Sequence, residues 1–350
     1  MTEISSLRKF GLLAHLTNHI QTSNPSTVKG IGDDAAVLEY KGKKVLFANN
    51  LLLEGIHFDL TYVALKFVGY KAATVCFSDI YAMNGQPRQL SVSVGISKRF
   101  SVEDMDELFA GIEYACQRHG VDLVGVNTTS SLTGLCIGVT TAGEADRDKI
   151  VYRNAAKNTD LICVSGDLGA AYMGLQLLER EKAIHAGEKD FTPDFAGKEY
   201  LLERQLRPEA RKDIIELLAQ NDIIPTSMID VSDGLASELL HICQQSRVGC
   251  MVYEERLPID YQTAMMAEQF NMNLTTVAMN GGDDYELLFT VPLNMHEKVQ
   301  TIEGIHLIGH ISEADEGVRL VTRDGTQIPL TAQGWTQVTE EADFAQTPPP

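Results

Sequence analysis

Four short acidic motifs restrict what this chain can fold into. They are Gly30-Ile31-Gly32-Asp33-Asp34, Ser78-Asp79, Asp230-Val231-Ser232-Asp233-Gly234 and Gly281-Gly282-Asp283-Asp284. Each abuts an apolar run: Ala-Ala-Val-Leu follows the first, Ile-Tyr-Ala-Met the second and Tyr-Glu-Leu-Leu-Phe the last. Carboxylates on apolar elements are costly to gather unless something neutralises them. Taken singly, each motif reads as a turn or a helix cap. Taken together, they call for a fold that brings acids from both halves of the chain to one cleft. Hard cations with bound phosphate meet that need, because Mg²⁺ takes a few carboxylates plus phosphate oxygens. The set points to magnesium-assisted nucleotide chemistry.

A chain of 350 residues has room for two domains, each with its own core. With 44% hydrophobic and 22% charged residues it reads as a soluble globular protein. A net charge of −19 argues against general nucleic-acid binding, because phosphates are repelled. A phosphorylated substrate then needs local cations or a few placed Arg and Lys side chains. The cysteines at 76, 116, 136, 163, 243 and 250 show no C-x-x-C spacing and lie mostly in apolar runs. They read as buried thiols in a reducing cytosol, not as disulfides or zinc ligands. The opening Met1-Thr-Glu-Ile-Ser-Ser-Leu is not a signal peptide, and no apolar run approaches the ~18 residues of a membrane span. A cytoplasmic protein without membrane contact is expected.

Periodicity predicts helices over 4–20, 64–84 and 102–119, the last with an acidic first turn of Glu103, Asp104 and Asp106. Strands are expected at 43–47, 90–96, 121–124 and 135–142, giving an α+β sandwich. A charged, strand-free break is expected over 143–149. Beyond it come a strand at 160–165 and a helix to about Arg180. A loop over 186–193 precedes helices at 197–206 and 208–220, then a strand at 227–230. Next come a helix over 232–246 with Ser232 as N-cap, and strands at 285–291 and 306–311. The domains are thus 1–145 and 146–338, with 339–350 a disordered acidic, proline-ended tail. The Gly30-x-Gly32-x-x-Ala35 run mimics a dinucleotide fingerprint, but no strand precedes it and Ala35–Leu38 reads as a strand. No Walker loop is present.

In their order along the chain the motifs resemble those of the thiamine-monophosphate kinase family, within the superfamily of aminoimidazole ribonucleotide synthetase and selenophosphate synthetase. The matching pieces are Gly30–Leu38, Glu54-Gly-Ile-His-Phe58, Phe77–Met83, Val151-Tyr-Arg153, Val164–Gly169, Ile229–Leu235 and Gly281–Phe289. The resemblance implies a two-domain PurM-like α+β fold whose N-terminal domain forms a β-barrel across a homodimer. It implies transfer of the γ-phosphoryl of ATP to thiamine monophosphate, assisted by Mg²⁺, the last step of thiamine diphosphate biosynthesis. Asp33, Asp79, Asp230 and Asp233 become metal ligands, and Ser232 and Arg153 ATP contacts. His57, Asp283 and Trp335 fall to the substrate.

The chain departs from the family pattern at one set of positions. Ala48-Asn49-Asn50 stands where the family has Thr-Thr-Asp, and Gly125-Val126-Asn127-Thr128 where it has Gly-Gly-Asp-Thr. Asn49, Asn50 and Asn127 therefore take metal positions as neutral ligands, and Val126 and Asn127 take ATP positions. Asp283 replaces a family Glu. The departures are expected to share one metal-and-ATP subsite. Two readings follow: an enzyme with a rearranged metal set, or a weakened member that binds thiamine phosphates or nucleotide.

Overall fold

A computed structural model describes residues 15–17, 19–29, 37–185 and 195–332. Asp33, Trp335, the expected loop 186–193 and the expected tail 339–350 lie outside the described residues, as does most of the expected helix 4–20.

The first half opens with a small ribbon, Thr27–Lys29 (β1) against Val37–Leu38 (β2). Then come Lys44–Leu53 (β3), helix Leu65–Tyr81 (α1), Gln86–Ile96 (β4), helix Val102–His119 (α2), Asp122–Ser130 (β5) and Cys136–Ala145 (β6). The four longer strands form a sheet in the order β3-β6-β4-β5. Only β4 and β5 run parallel in it, and α2 supplies the crossover that a parallel pair needs. A capping box starts α2: Asp104 N–H donates to Ser101 Oγ, and Ser101 N–H donates back to Asp104. Gly120 ends it at φ 68, where a side chain would be strained. Helix α1 is apolar on nearly every side because it packs on the sheet, on α2 and on the second half at once.

The second half runs Leu161–Ser165 (β7), Ala170–Ile184 (α3), Glu199–Leu206 (α4), Lys212–Gln220 (α5), Ser227–Asp230 (β8), Leu235–Ser246 (α6) and Gly249–Tyr253 (β9). Tyr261–Gln269 (α7), Leu274–Asn280 (α8), Leu287–Val291 (β10), His296–Gln300 (α9), Ile305–Ser312 (β11), Val318–Val321 (β12) and Gln327–Pro329 (β13) complete it. Its seven strands lie in the order β13-β12-β9-β11-β7-β10-β8. All five residues of β10 are buried, as an interior strand covered on both faces requires. One hydrophobic core runs through both halves, joining Phe77 and Leu90 to Met228 and Phe289.

Two expectations are corrected. The break at 143–149 is not strand-free from its start: β6 continues to Ala145, opposite Lys44, because Glu144 finds Lys43 and Arg88. Ser232 is not the N-cap of α6, which starts after Gly234 at φ 107; the Glu238 carboxylate takes the Asp233 N–H instead. The strands β9, β12 and β13 and the helices α7 and α8 carry too short a periodic signal to be expected from the sequence.

Candidate active site

Two cavities meet at Asp79. One, of about 450 Å³, lies between the halves and is lined among others by Asn50, His57, Lys71, Asp79, Asp230, Ser232, Asp283 and Tyr285. The other, of about 390 Å³, is lined by Phe47, Ala48, Asp79, Met83, Tyr152, Arg153, Asn154 and Met228. Both volumes suit a small ligand. Asp79 belongs to the last turn of α1 and Asp230 to the end of β8, so helix and strand termini converge here.

The two carboxylates are coupled. Burial first, and then the Asp230 charge, push the Asp79 carboxyl up to about 6 against the opposing pull of Asn50 and Arg153. Burial likewise raises Asp230, against a hydrogen bond from Ser78 and the charge of Arg153. Ser78 Oγ donates to Asp230 Oδ2 at 2.7 Å, tying α1 to β8 across the two halves. Asn50 Nδ2 donates to Asp79 Oδ2 at 2.7 Å. Arg153 is exposed, and its carbonyl is pinned by Ser227 Oγ at 2.7 Å and Ser246 Oγ at 3.1 Å. A third acid, Glu238, is buried alongside, and burial followed by its neighbouring carboxylates lifts it to about 7.

Among the described residues no group of three His, Cys, Asp or Glu side chains is gathered tightly enough to hold an ion. The Asp79–Asp230 pair nonetheless fits a hard divalent cation. A buried and a half-buried carboxylate that resist ionising side by side are the chemistry such an ion relieves. Asp233 is exposed on the loop beyond.

The segment after Gly281 is held in an unusual backbone path. Gly282, Asp283 and Tyr285 have φ of 71, 60 and 52, the last an outlier for an aromatic residue. A Cβ at Gly282 would lie 2.9 Å from the Ser232 carbonyl, so glycine is required there. The path is pinned by Asp283 N–H to Ser232 O at 2.7 Å and Tyr285 N–H to Val231 O at 2.8 Å. It points Asp283 at the larger cavity, where Lys71 Nζ reaches Oδ2 at 2.8 Å. Burial disfavours the Asp283 charge, but the Lys71 ammonium and the Tyr285 hydroxyl hold its carboxyl below the usual range. Behind it, Asp284 accepts Gly169 N–H at 2.9 Å, and Glu286 is clasped by Arg204, Arg211 and Ser165.

His57 sits in the tight turn after β3, where its Nδ1 accepts Leu53 N–H at 3.0 Å. At the more exposed end of the same cavity, Lys182 reaches Asp59 at 2.6 Å and Tyr62 donates to Glu179 at 2.6 Å.

The amide positions do not share one subsite within a single chain. Asn50 faces α1, whereas its neighbour Asn49 points to the other face and donates to Thr140 Oγ1 at 2.6 Å. Asn127 pairs in register with Ser93 on that outer, exposed face, and the half-buried Val126 packs against the core. Alternation along a pleated strand separates them, and neither Val126 nor Asn127 lines the two cavities. Sequence reading missed Lys71 and Glu238. A lone Lys in the apolar run around Tyr70, two helical turns before Asp79, was the available signal for the first.

The fold and this acid-lined cleft define a class. Residues 32–145 match the AIR synthase related protein, N-terminal domain. A structure of Hydrogenase Maturation Protein HypE in complex with ATP, 19% identical with TM-score 0.70, covers 91% of each chain and shares the fold. Within that class, the Thiamine-monophosphate kinase of Aquifex aeolicus is 32% identical over 95% of this chain and 98% of its own length. The structure of AaThiL complexed with AMPPCP and TMP is 31% identical with TM-score 0.71, covering 94% of this chain and 97% of that one. The chain belongs to the thiamine-monophosphate kinase family.

Proposed function

We propose that this protein transfers the terminal phosphoryl group of ATP to thiamine monophosphate. An oxygen of the acceptor phosphate bonds to the γ-phosphorus, the bond to the β–γ bridging oxygen breaks, and thiamine diphosphate and ADP leave. The observation that carries the reading is the place of Asp79, which lines two ligand-sized cavities at once beside Asp230. A relative of 31% identity complexed with AMPPCP and TMP supports the same pairing of ligands.

In this reading the nucleotide phosphates lie near Arg153 and Ser232, and the thiamine phosphate enters past His57 and Asp283, with Trp335 as a further contact. Asp79 and Asp230, with Asp33 and Asp233, are the residues that would hold Mg²⁺. Mg²⁺ held there would supply charge neutralisation for the phosphates. The chain itself supplies positioning. Ser78 and Asn50 fix the two carboxylates, and the laced Gly282–Tyr285 path fixes Asp283, so the donor and acceptor meet in line.

The chain acts as a homodimer in this proposal. The outer face of β3 presents Val45, Phe47, Leu51 and Leu53, with Phe47 74% exposed, and a second copy is the cover that would bury such a row. A cytoplasmic setting accords with the uncrosslinked thiols, all six of which are free. Among the described residues no helix is long and apolar enough to cross a membrane.

The test is formation of thiamine diphosphate from thiamine monophosphate and Mg-ATP, run beside a binding titration with both ligands. Turnover is the expected outcome. Tight binding without turnover would replace the kinase by a thiamine-phosphate binding protein.

A further inference from the structure

Lys71 is a buried cation on the wall of the larger cavity, and no role assigned above uses it. It stands on α1 in one stripe with Val75 and Asp79, so a single helix face gives the cavity an ammonium at one level and a carboxylate two turns on. The side chain is 9% exposed. A lysine ammonium carries three N–H donors. Among the described residues this one makes a single hydrogen bond, to Asp283 Oδ2 at 2.8 Å. Asp283 is held from its other side by the Tyr285 hydroxyl at 3.0 Å and keeps 35% of its side chain exposed. The pair is thus half open, with its carboxylate not sealed as a purely structural ion pair would be.

The charges around it make the opening meaningful. Asp79, Asp230 and Asp283 line the cavity and repel an anion. Lys182 lines its outer part, where Asp59 binds it at 2.6 Å and Glu179 lies 3.7 Å away. Among the described residues Lys71 is the ammonium at the inner end, with donors left to give. We propose that Lys71 is a ligand of the substrate phosphate: Asp283 holds the side chain in place, and the ammonium donates to a phosphate oxygen of the phosphomonoester in this cavity. The assignment deepens the functional reading above and rests on it.

The test is the preference for thiamine monophosphate over thiamine, taken as the ratio of their Kd values from calorimetric titration. It is measured for wild type, Lys71→Met, Lys71→Arg and the double variant Lys71→Met/Asp283→Asn. In Lys71→Met the preference should fall at least about tenfold, the scale of one charged hydrogen bond, while thiamine itself binds as before. Lys71→Arg should keep most of the preference. The double variant removes both charges, so it should recover the unfolding midpoint yet still lack the preference; it also carries the test if Lys71→Met fails to fold. A preference unchanged in Lys71→Met, or regained in the double variant, reduces Lys71 to a neutraliser of Asp283 and overturns the proposal. Wild-type turnover with an unchanged ratio sinks only this assignment. A wild-type chain with neither turnover nor phosphate preference sinks the kinase reading and this assignment with it.

Discussion

The side-chain amide of Asn50 donates to Oδ2 of Asp79 across 2.7 Å, linking the edge strand β3 to the helix that carries the acid. A neutral donor at this point offsets the crowding between Asp79 and Asp230. An aspartate there would add a third carboxylate instead. Asn50→Asp should therefore bind Mg²⁺ more tightly and raise turnover at least about tenfold, the scale of one electrostatic contact in a transition state. Calorimetric Mg²⁺ titration beside steady-state kinetics checks both. Unchanged affinity and rate would show that the amide is no substitute for a metal ligand.

Ser78 is fully buried and its hydroxyl holds Asp230. Ser78→Ala leaves that carboxylate short of a donor in the core. The metal-free protein should lose roughly 1.5–3 kcal/mol of stability, the worth of a hydrogen bond to a charged group. Urea midpoints of the two proteins in the presence of a chelator measure it. Equal midpoints would mean that the Ser78–Asp230 bond adds nothing to stability.

His119 supplies a pH dependence remote from the cleft. Burial, followed by the charges of Arg118 and Lys212, lowers its pKa from 6.5 to about 4. The unfolded chain binds this proton first on acidification, so the contribution is complete above pH 6.5 and drains away as pH falls towards 4. The loss should reach roughly 3 kcal/mol. Denaturant midpoints between pH 4 and 7 should slope accordingly, and His119→Gln should flatten that part of the slope. A slope identical in the variant would assign the effect to other groups.

The row Val45, Phe47, Leu51 and Leu53 predicts self-association. Wild type should sediment as a dimer at micromolar concentration, and Phe47→Asp should sediment as a monomer with its secondary structure intact. A monomeric wild type would leave this face without the cover proposed for it.

Much of the architecture could be read from periodicity. Helix 102–119 and strand 227–230 match their expected bounds because a capping box, an αL glycine and a compact apolar run mark them locally. The acidic motifs likewise named Asp79 and Asp230 from neighbouring glycines, serines and apolar runs. Which acids meet, and what holds them, was decided by tertiary structure. Ser78 and Asp230 are 152 positions apart and touch only because α1 packs on the second half. Asn49 and Asn50 are adjacent in sequence yet part company, since a pleated strand sends successive side chains to opposite faces. Lys71 and Asp283 show the same limit across 212 positions. Composition and spacing supply the charges, but the energy of a buried charge depends on its neighbours in space, and those neighbours are set by the packing of the two halves.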